Sequence, residues 1–130
     1  MGFTVHKSDT GAVPPNEYLP AAVGTYEVGQ MLTMTDGVLA PLASATTTTP
    51  PYICQSKTEI KEAGEKLTVN RVSKDVIYLT SLSAASAAAV PGGRLRVSEG
   101  GKQVSTGAGT FEIVSIDGTA IDSAVRGRFV

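Results

Sequence analysis

Apolar and polar residues alternate in short runs along most of this chain, and turn residues break the runs every few positions. Alternation with period two places one set of side chains on each face of a strand. Residues 110–116, Thr-Phe-Glu-Ile-Val-Ser-Ile, form the clearest such run, and residues 125–130 close the chain as another. In residues 93–98, Leu95 and Val97 face one way while Arg94, Arg96 and Ser98 face the other. Residues 26–34 run into Asp36-Gly37, a hairpin signal because glycine accepts positive φ, and residues 38–42 return as the partner. Pro41 places that partner at an edge or a strand end. Further strands are predicted over residues 52–55, 66–72, 75–80 and 103–106. In residues 66–72 neither face is cleanly apolar, so Leu67, Val69 and Arg71 compete with Thr68, Asn70 and Val72 for the core side.

Between the runs lie segments of other kinds. Residues 46–51, four threonines and two prolines, read as a connector. Residues 57–64 are polar and suit one helical turn or a solvated loop. Residues 81–90 are the one helix candidate, because alanine is the best helix former and Pro91-Gly92-Gly93 ends the segment. With little amphipathicity they also suit a close-packed loop. About eight short strands separated by Gly, Pro and Asp-Gly turns define an all-β chain, a small barrel or sandwich with one short Ala-rich helix or loop.

The front of the chain differs. Residues 1–24 carry Pro14, Pro15 and Pro20, and consecutive prolines fix φ and lack amide donors, which favours extended geometry. Tyr18 and Leu19 read as the apolar contacts of this stretch. On a free tail they would be unburied apolar surface, so residues 1–24 read as an extended N-terminal arm that orders against a partner, with a disordered terminus as the alternative, and residues 25–130 as a single β-barrel-like domain. The expected contact residues are Pro14, Pro15, Tyr18, Leu19 and Pro20.

Composition narrows the function. At 130 residues the chain matches one domain, and with no Trp, three Phe and four Tyr its core must come mainly from Val, Ile, Leu and Ala. Such a core removes less apolar area per side chain, which makes oligomerisation a natural source of added stability. Eleven basic and 12 acidic residues give a formal charge of -1, so no strong cationic field draws phosphates from a distance. The single cysteine, Cys54, precludes an internal disulfide and reads as a small buried hydrophobe. No stretch reaches the roughly 18 apolar residues of a membrane span, and no basic-then-apolar leader marks export. Met1-Gly2 resembles the start of a myristoylation signal, but His6 stands where Ser or Thr is required. The expectation is synthesis in a cytoplasm and no membrane partner.

No catalytic constellation emerges. A hydrolytic triad needs a base, and the sole imidazole, His6, lies in the arm. Metal sites draw on His and Cys clusters, and the chain has one of each, far apart. The glycine pairs Gly92-Gly93 and Gly100-Gly101 sit at strand ends and match no phosphate-binding pattern, so neither catalytic residue, metal nor cofactor is expected. The arginine pairs are the strongest binding signal. Arg94 with Arg96, and Arg126 with Arg128, each project from one strand face, which would suit single-stranded nucleic acid on a small oligonucleotide-binding barrel if aromatics stood beside them. Phe129 alternates to the opposite face, so a solvated face or an ionic contact to a partner subunit is the better reading.

The order of segments carries a resemblance. Residues 17–21 (Glu-Tyr-Leu-Pro-Ala), 26–30 (Tyr-Glu-Val-Gly-Gln) and 36–39 (Asp-Gly-Val-Leu), then Pro50-Pro51-Tyr52-Ile53-Cys54, residues 64–72, Phe111-Glu112-Ile113 and residues 125–129, together resemble the head decoration (capsid-stabilising) proteins of tailed bacteriophages. The likeness runs from Glu17 to the C-terminus as a pattern of strands and turns, and residues 46–49 and 81–90 depart from it. It implies a non-enzymatic virion structural protein, from a phage or a prophage, that assembles as a homotrimer on the outer surface of the head and contacts the major capsid protein. It also implies that the arm orders on the shell.

Overall fold

The computed structural model describes residues 2–87 and 89–130; Met1, in the expected arm, and Ala88, in the Ala-rich segment, lie outside the described residues. The chain is all-β, with thirteen strands among the described residues. In chain order these are β1 (Thr4–Ser8), β2 (Asn16–Pro20), β3 (Gly24–Tyr26), β4 (Met31–Thr35), β5 (Val38–Pro41), β6 (Tyr52–Cys54) and β7 (Thr58–Ile60). They continue with β8 (Lys66–Arg71), β9 (Val76–Ser81), β10 (Arg94–Val97), β11 (Val104–Ser105), β12 (Phe111–Ile116) and β13 (Ala124–Phe129). A front sheet of six strands has the order β1-β9-β13-β12-β10-β11, a back sheet of five has the order β2-β8-β6-β4-β5, and β3 pairs with β7. All of these pairings are antiparallel. Ala21, just past β2, bridges Leu39 of β5, and Leu82, just past β9, bridges Val104 of β11, but neither sheet closes into a barrel among the described residues and the architecture is sandwich-like.

Two cores follow from the alternation. The main core fills the space between front and back sheets with Tyr78, Leu95, Val97, Phe111, Ile113, Val125 and Phe129 on one side and Met31 and Ile53 on the other. Phe111 and Phe129 meet edge to face at 5.2 Å between ring centroids, and Phe3 meets Phe111 at 5.9 Å. Gly127 sits where a Cβ would fall 2.6 Å from a Phe111 ring carbon, so the ring excludes any side chain there. The second core lies on the other face of the back sheet, where Leu32, Tyr52, Cys54, Leu67 and Val69 pack with Tyr26 and Ile60 from β3 and β7. Period-two alternation thus sends Met31 and Ile53 to one core and their neighbours Leu32, Tyr52 and Cys54 to the other. It also settles β8: Leu67 and Val69 face the second core, while Val72, just past the strand, packs on the main one.

The Asp36-Gly37 hairpin forms as predicted, with φ of 53° and 78°, the left-handed pair that matches the twist of the joined strands. Of the helix candidate 81–90, Ser81 ends β9 and the rest is loop among the described residues. Leu82 and Ala89 are buried anchors, and the amides of Ser83 and Ser86 donate to the carbonyls of Val104 and Thr119. Ten residues without an apolar stripe give a helix no tertiary support, so the backbone bonds to its neighbours instead. The polar segment 57–64 holds β7, because Ile60 fills the second core and β3 supplies a ladder partner.

The largest correction concerns residues 1–24. Residues 2–24 are largely extended, but they do not stand away from the body as an arm. β1 pairs with β9 at the edge of the front sheet, and β2 pairs with β8 at the edge of the back sheet. Phe3 is 2 % exposed within the aromatic cluster of the main core, and Ala21 is fully buried in the second. The division into arm 1–24 and domain 25–130 therefore fails physically, since the first segment supplies core residues and ladder bonds to the rest. The prolines occupy the link between β1 and β2 and the end of β2, where an edge strand tolerates a missing amide donor.

Candidate docking face

One side of the sandwich is built by residues 2–24, which hold one edge strand of each sheet. Between these two edges lies a groove of about 220 Å³ whose floor is Phe3, Ile53 and Tyr78 and whose rim is Val5, Pro14 and Val28. Beyond the rim stand Val13 and Tyr18, and Val5, Val13, Tyr18 and Val28 are all exposed, Tyr18 to 62 %. Lone exposed apolar residues are ordinary on protein surfaces; a cluster of them beside a groove marks an interaction face.

The five expected contact residues divide here. Pro14 is part of the rim, and Tyr18 stands uncovered on β2. Pro15 is exposed, and its carbonyl accepts a hydrogen bond from Asn70 Nδ2 at 3.2 Å, which ties the link to β8. Leu19, opposite Leu67, packs against the second core, so its apolar surface serves the body. Pro20 ends β2, half-buried. Sequence reasoning passed over Phe3, Val5 and Val28. An aromatic followed by a β-branched pair in Phe3-Thr4-Val5 is strand composition, and it was the available signal.

The leader is also held by charge. Arg128 on β13 forks onto Asp9, with Nη1 to Oδ2 at 2.7 Å, and this hydrogen bond keeps the Asp9 carboxyl below the usual aspartate range. Arg71 Nη2 reaches Glu17 Oε1 at 3.3 Å and its guanidinium lies over the Tyr52 ring.

The arginine pairs project from one face as expected, yet carboxylates meet most of them. Arg94 lies 3.5 Å from Glu112, Arg126 lies 3.1 Å from Asp117, and Arg128 is held by Asp9. Arg96 has no carboxylate partner among the described residues; its guanidinium lies against the Gly107 backbone with Nε buried. The outer face of the front sheet is therefore a set of ion pairs rather than an open cationic track.

The remaining chemistry-bearing side chains are dispersed. His6 is exposed on β1 at a bulge between Val5 and Lys7. Cys54 is buried, burial pushes its thiol up, and Sγ donates to the Ser56 carbonyl at 3.0 Å. Among the described residues no group of three or more His, Cys, Asp and Glu side chains converges, and no helix is long and apolar enough to cross a membrane. Comparison with models of protein families finds no match to this chain, and a search of curated proteins finds none either.

Proposed function

We propose that the chain is a non-enzymatic virion structural protein, a head decoration protein of a tailed bacteriophage that binds the outer capsid surface as a trimer and stabilises the shell. The reading is supported by the sequence resemblance over residues 17–130 and by the all-β sandwich body. The observation that carries it is the uncovered apolar side formed by Val5, Val13, Tyr18 and Val28 around the groove. In this account the leader is a preformed part of the docking face rather than an arm that folds on contact. Preorganisation lowers the ordering cost of binding, and three copies held together on one lattice site bind by avidity even where each contact is weak. A trimer that straddles neighbouring major capsid subunits adds buried area at their junction and resists the outward pressure of packaged DNA. The partners are thus the major capsid protein and two further copies of this chain, and the location is the outside of the phage head.

The test is co-sedimentation with empty heads assembled from a major capsid protein encoded in the same genome as this chain. The wild type should pellet with the heads at saturating, lattice-defined stoichiometry, and Tyr18→Asp should stay in the supernatant while retaining its fold. Wild-type protein that never pellets with such heads would overturn the proposal.

A further inference from the structure

The groove sits where the front sheet stops short. β1 is the last strand of that sheet, and its outer edge has no ladder partner among the described residues. Beneath it the back sheet continues outward. Ile53 faces the main core, and its cross-strand partner Asn70 shares that face, as do Asn16, Thr68 and Tyr18 by alternation along β8 and β2. Tyr18 is therefore an inward-facing side chain left uncovered because no front-sheet strand lies over it. Val5 tells the same story from the other wall. It pairs with Tyr78 of the main core and lines the groove, yet it is 45 % exposed. What is missing from this side is one strand.

We propose that the groove accepts an extended segment of a partner protein, which pairs with the free edge of β1 and sets an aliphatic side chain between Val5, Val28, Ile53 and Tyr78. The segment completes the sandwich and covers Tyr18. Main-chain bonds along the edge supply affinity, and the groove selects alternate side chains. The groove volume of about 220 Å³ suits one or two aliphatic side chains; drug-sized ligands need roughly 300–1,000 Å³. The occupant is a different protein rather than a second copy. The bulge between Val5 and Lys7 and the lysine itself oppose joining β1 to β1, since both are devices that block edge-to-edge association. Charge adds to the pattern. Among the described residues no carboxylate is in salt-bridge contact with Lys7, and the nearby Asp9 is held by Arg128, so an acidic residue on the outward side of the added strand complements this edge. The inference deepens the decoration reading by naming what the shell contributes, and it rests on that reading only for the source of the strand.

The experiment uses the isotope-labelled full chain and a set of capped peptides of about seven residues that alternate Val, Ile or Leu with Thr or Glu. Binding should shift the β1 amides, slow the exchange of those that face away from β9, and perturb the Tyr18 ring. Val28→Lys and Val5→Glu, both at exposed positions, should weaken binding by about tenfold or more while the rest of the spectrum keeps its folded dispersion. Peptides that leave the β1 amides unmoved at millimolar concentration, or that shift them equally in both variants, would overturn the inference. So would light scattering that shows a self-associated species dissolved by Val28→Lys, because a second copy would then fill the groove. No head is present in this titration, so its failure is separable: heads that bind a chain deaf to every peptide sink only the strand, whereas peptides that bind a chain deaf to heads sink only the decoration reading.

Discussion

The outer face of the front sheet and the side built by residues 2–24 are both exposed, but they are finished to different degrees. On the first, Arg94, Arg126 and Arg128 already hold Glu112, Asp117 and Asp9. A partner that met this face would have to break or solvate pairs that are already made, and exposed ion pairs offer little in return. On the second, Val5, Val13, Tyr18 and Val28 stand uncovered beside a groove floored by core residues. Burying such surface releases roughly 25 cal/mol for each Å² removed from water, with no competing bond to undo. The lesson is that visible charge in the sequence was a poor guide to free binding capacity, because the fold neutralises most of it internally.

The sharpest break of this comparison is to ask whether the leader side is body or appendage. Phe3→Ala should destabilise the protein by about 3–5 kcal/mol in urea unfolding, as large as Phe129→Ala, because both rings lie in one aromatic cluster. A detached arm would give a change near zero. Deleting residues 2–15 should for the same reason unfold the protein or lower its midpoint severely, rather than leave an intact body.

A smaller effect separates neighbours on β2. Leu19→Ala should cost about 1–2 kcal/mol, since Leu19 is partly buried against the second core. Tyr18→Ala should change stability by no more than about 0.5 kcal/mol, since its side chain is outside both cores. Head binding should invert the order, with Tyr18→Ala losing it and Leu19→Ala keeping it.

That pair also shows what the sequence could and could not convey. Strand identity was legible wherever alternation met a turn signal, as in Asp36-Gly37 and residues 93–98. The leader was misread because its prolines, and the absence of a long apolar run, suppress the strand signal; its order comes from partners far along the chain, β9 and β8, that local pattern does not reveal. The same limit hid the fate of the arginines. Glu112 lies directly across from Arg94 and Arg128, but only the register of β10, β12 and β13 brings them together. Of the residues expected to make contacts, Tyr18 and Pro14 lie uncovered or at the groove rim, whereas Leu19 packs on the second core, a difference that only the β2–β8 pairing reveals.

The arginine face should yield the mildest changes. Arg126→Ala should lower stability by less than about 1 kcal/mol, an amount that added salt reduces further. Acid should act locally on the leader. Because Arg128 holds the Asp9 carboxyl below its ordinary range, the tie is complete above the unfolded aspartate value and is lost as pH falls through the lowered folded one. Amide exchange of Asp9, which donates to the Asp75 carbonyl, and of the end of β1 should accordingly quicken only in strong acid, and Asp9→Asn should show the quickening at neutral pH.

The most direct measurement is a hydrogen-exchange footprint of the protein bound to heads against the protein free in solution. The account predicts slowed exchange along β1 and β2 and around Val28, with the amides of β10, β12 and β13 unchanged. Slowed exchange on those three strands with the leader side still open would contradict it.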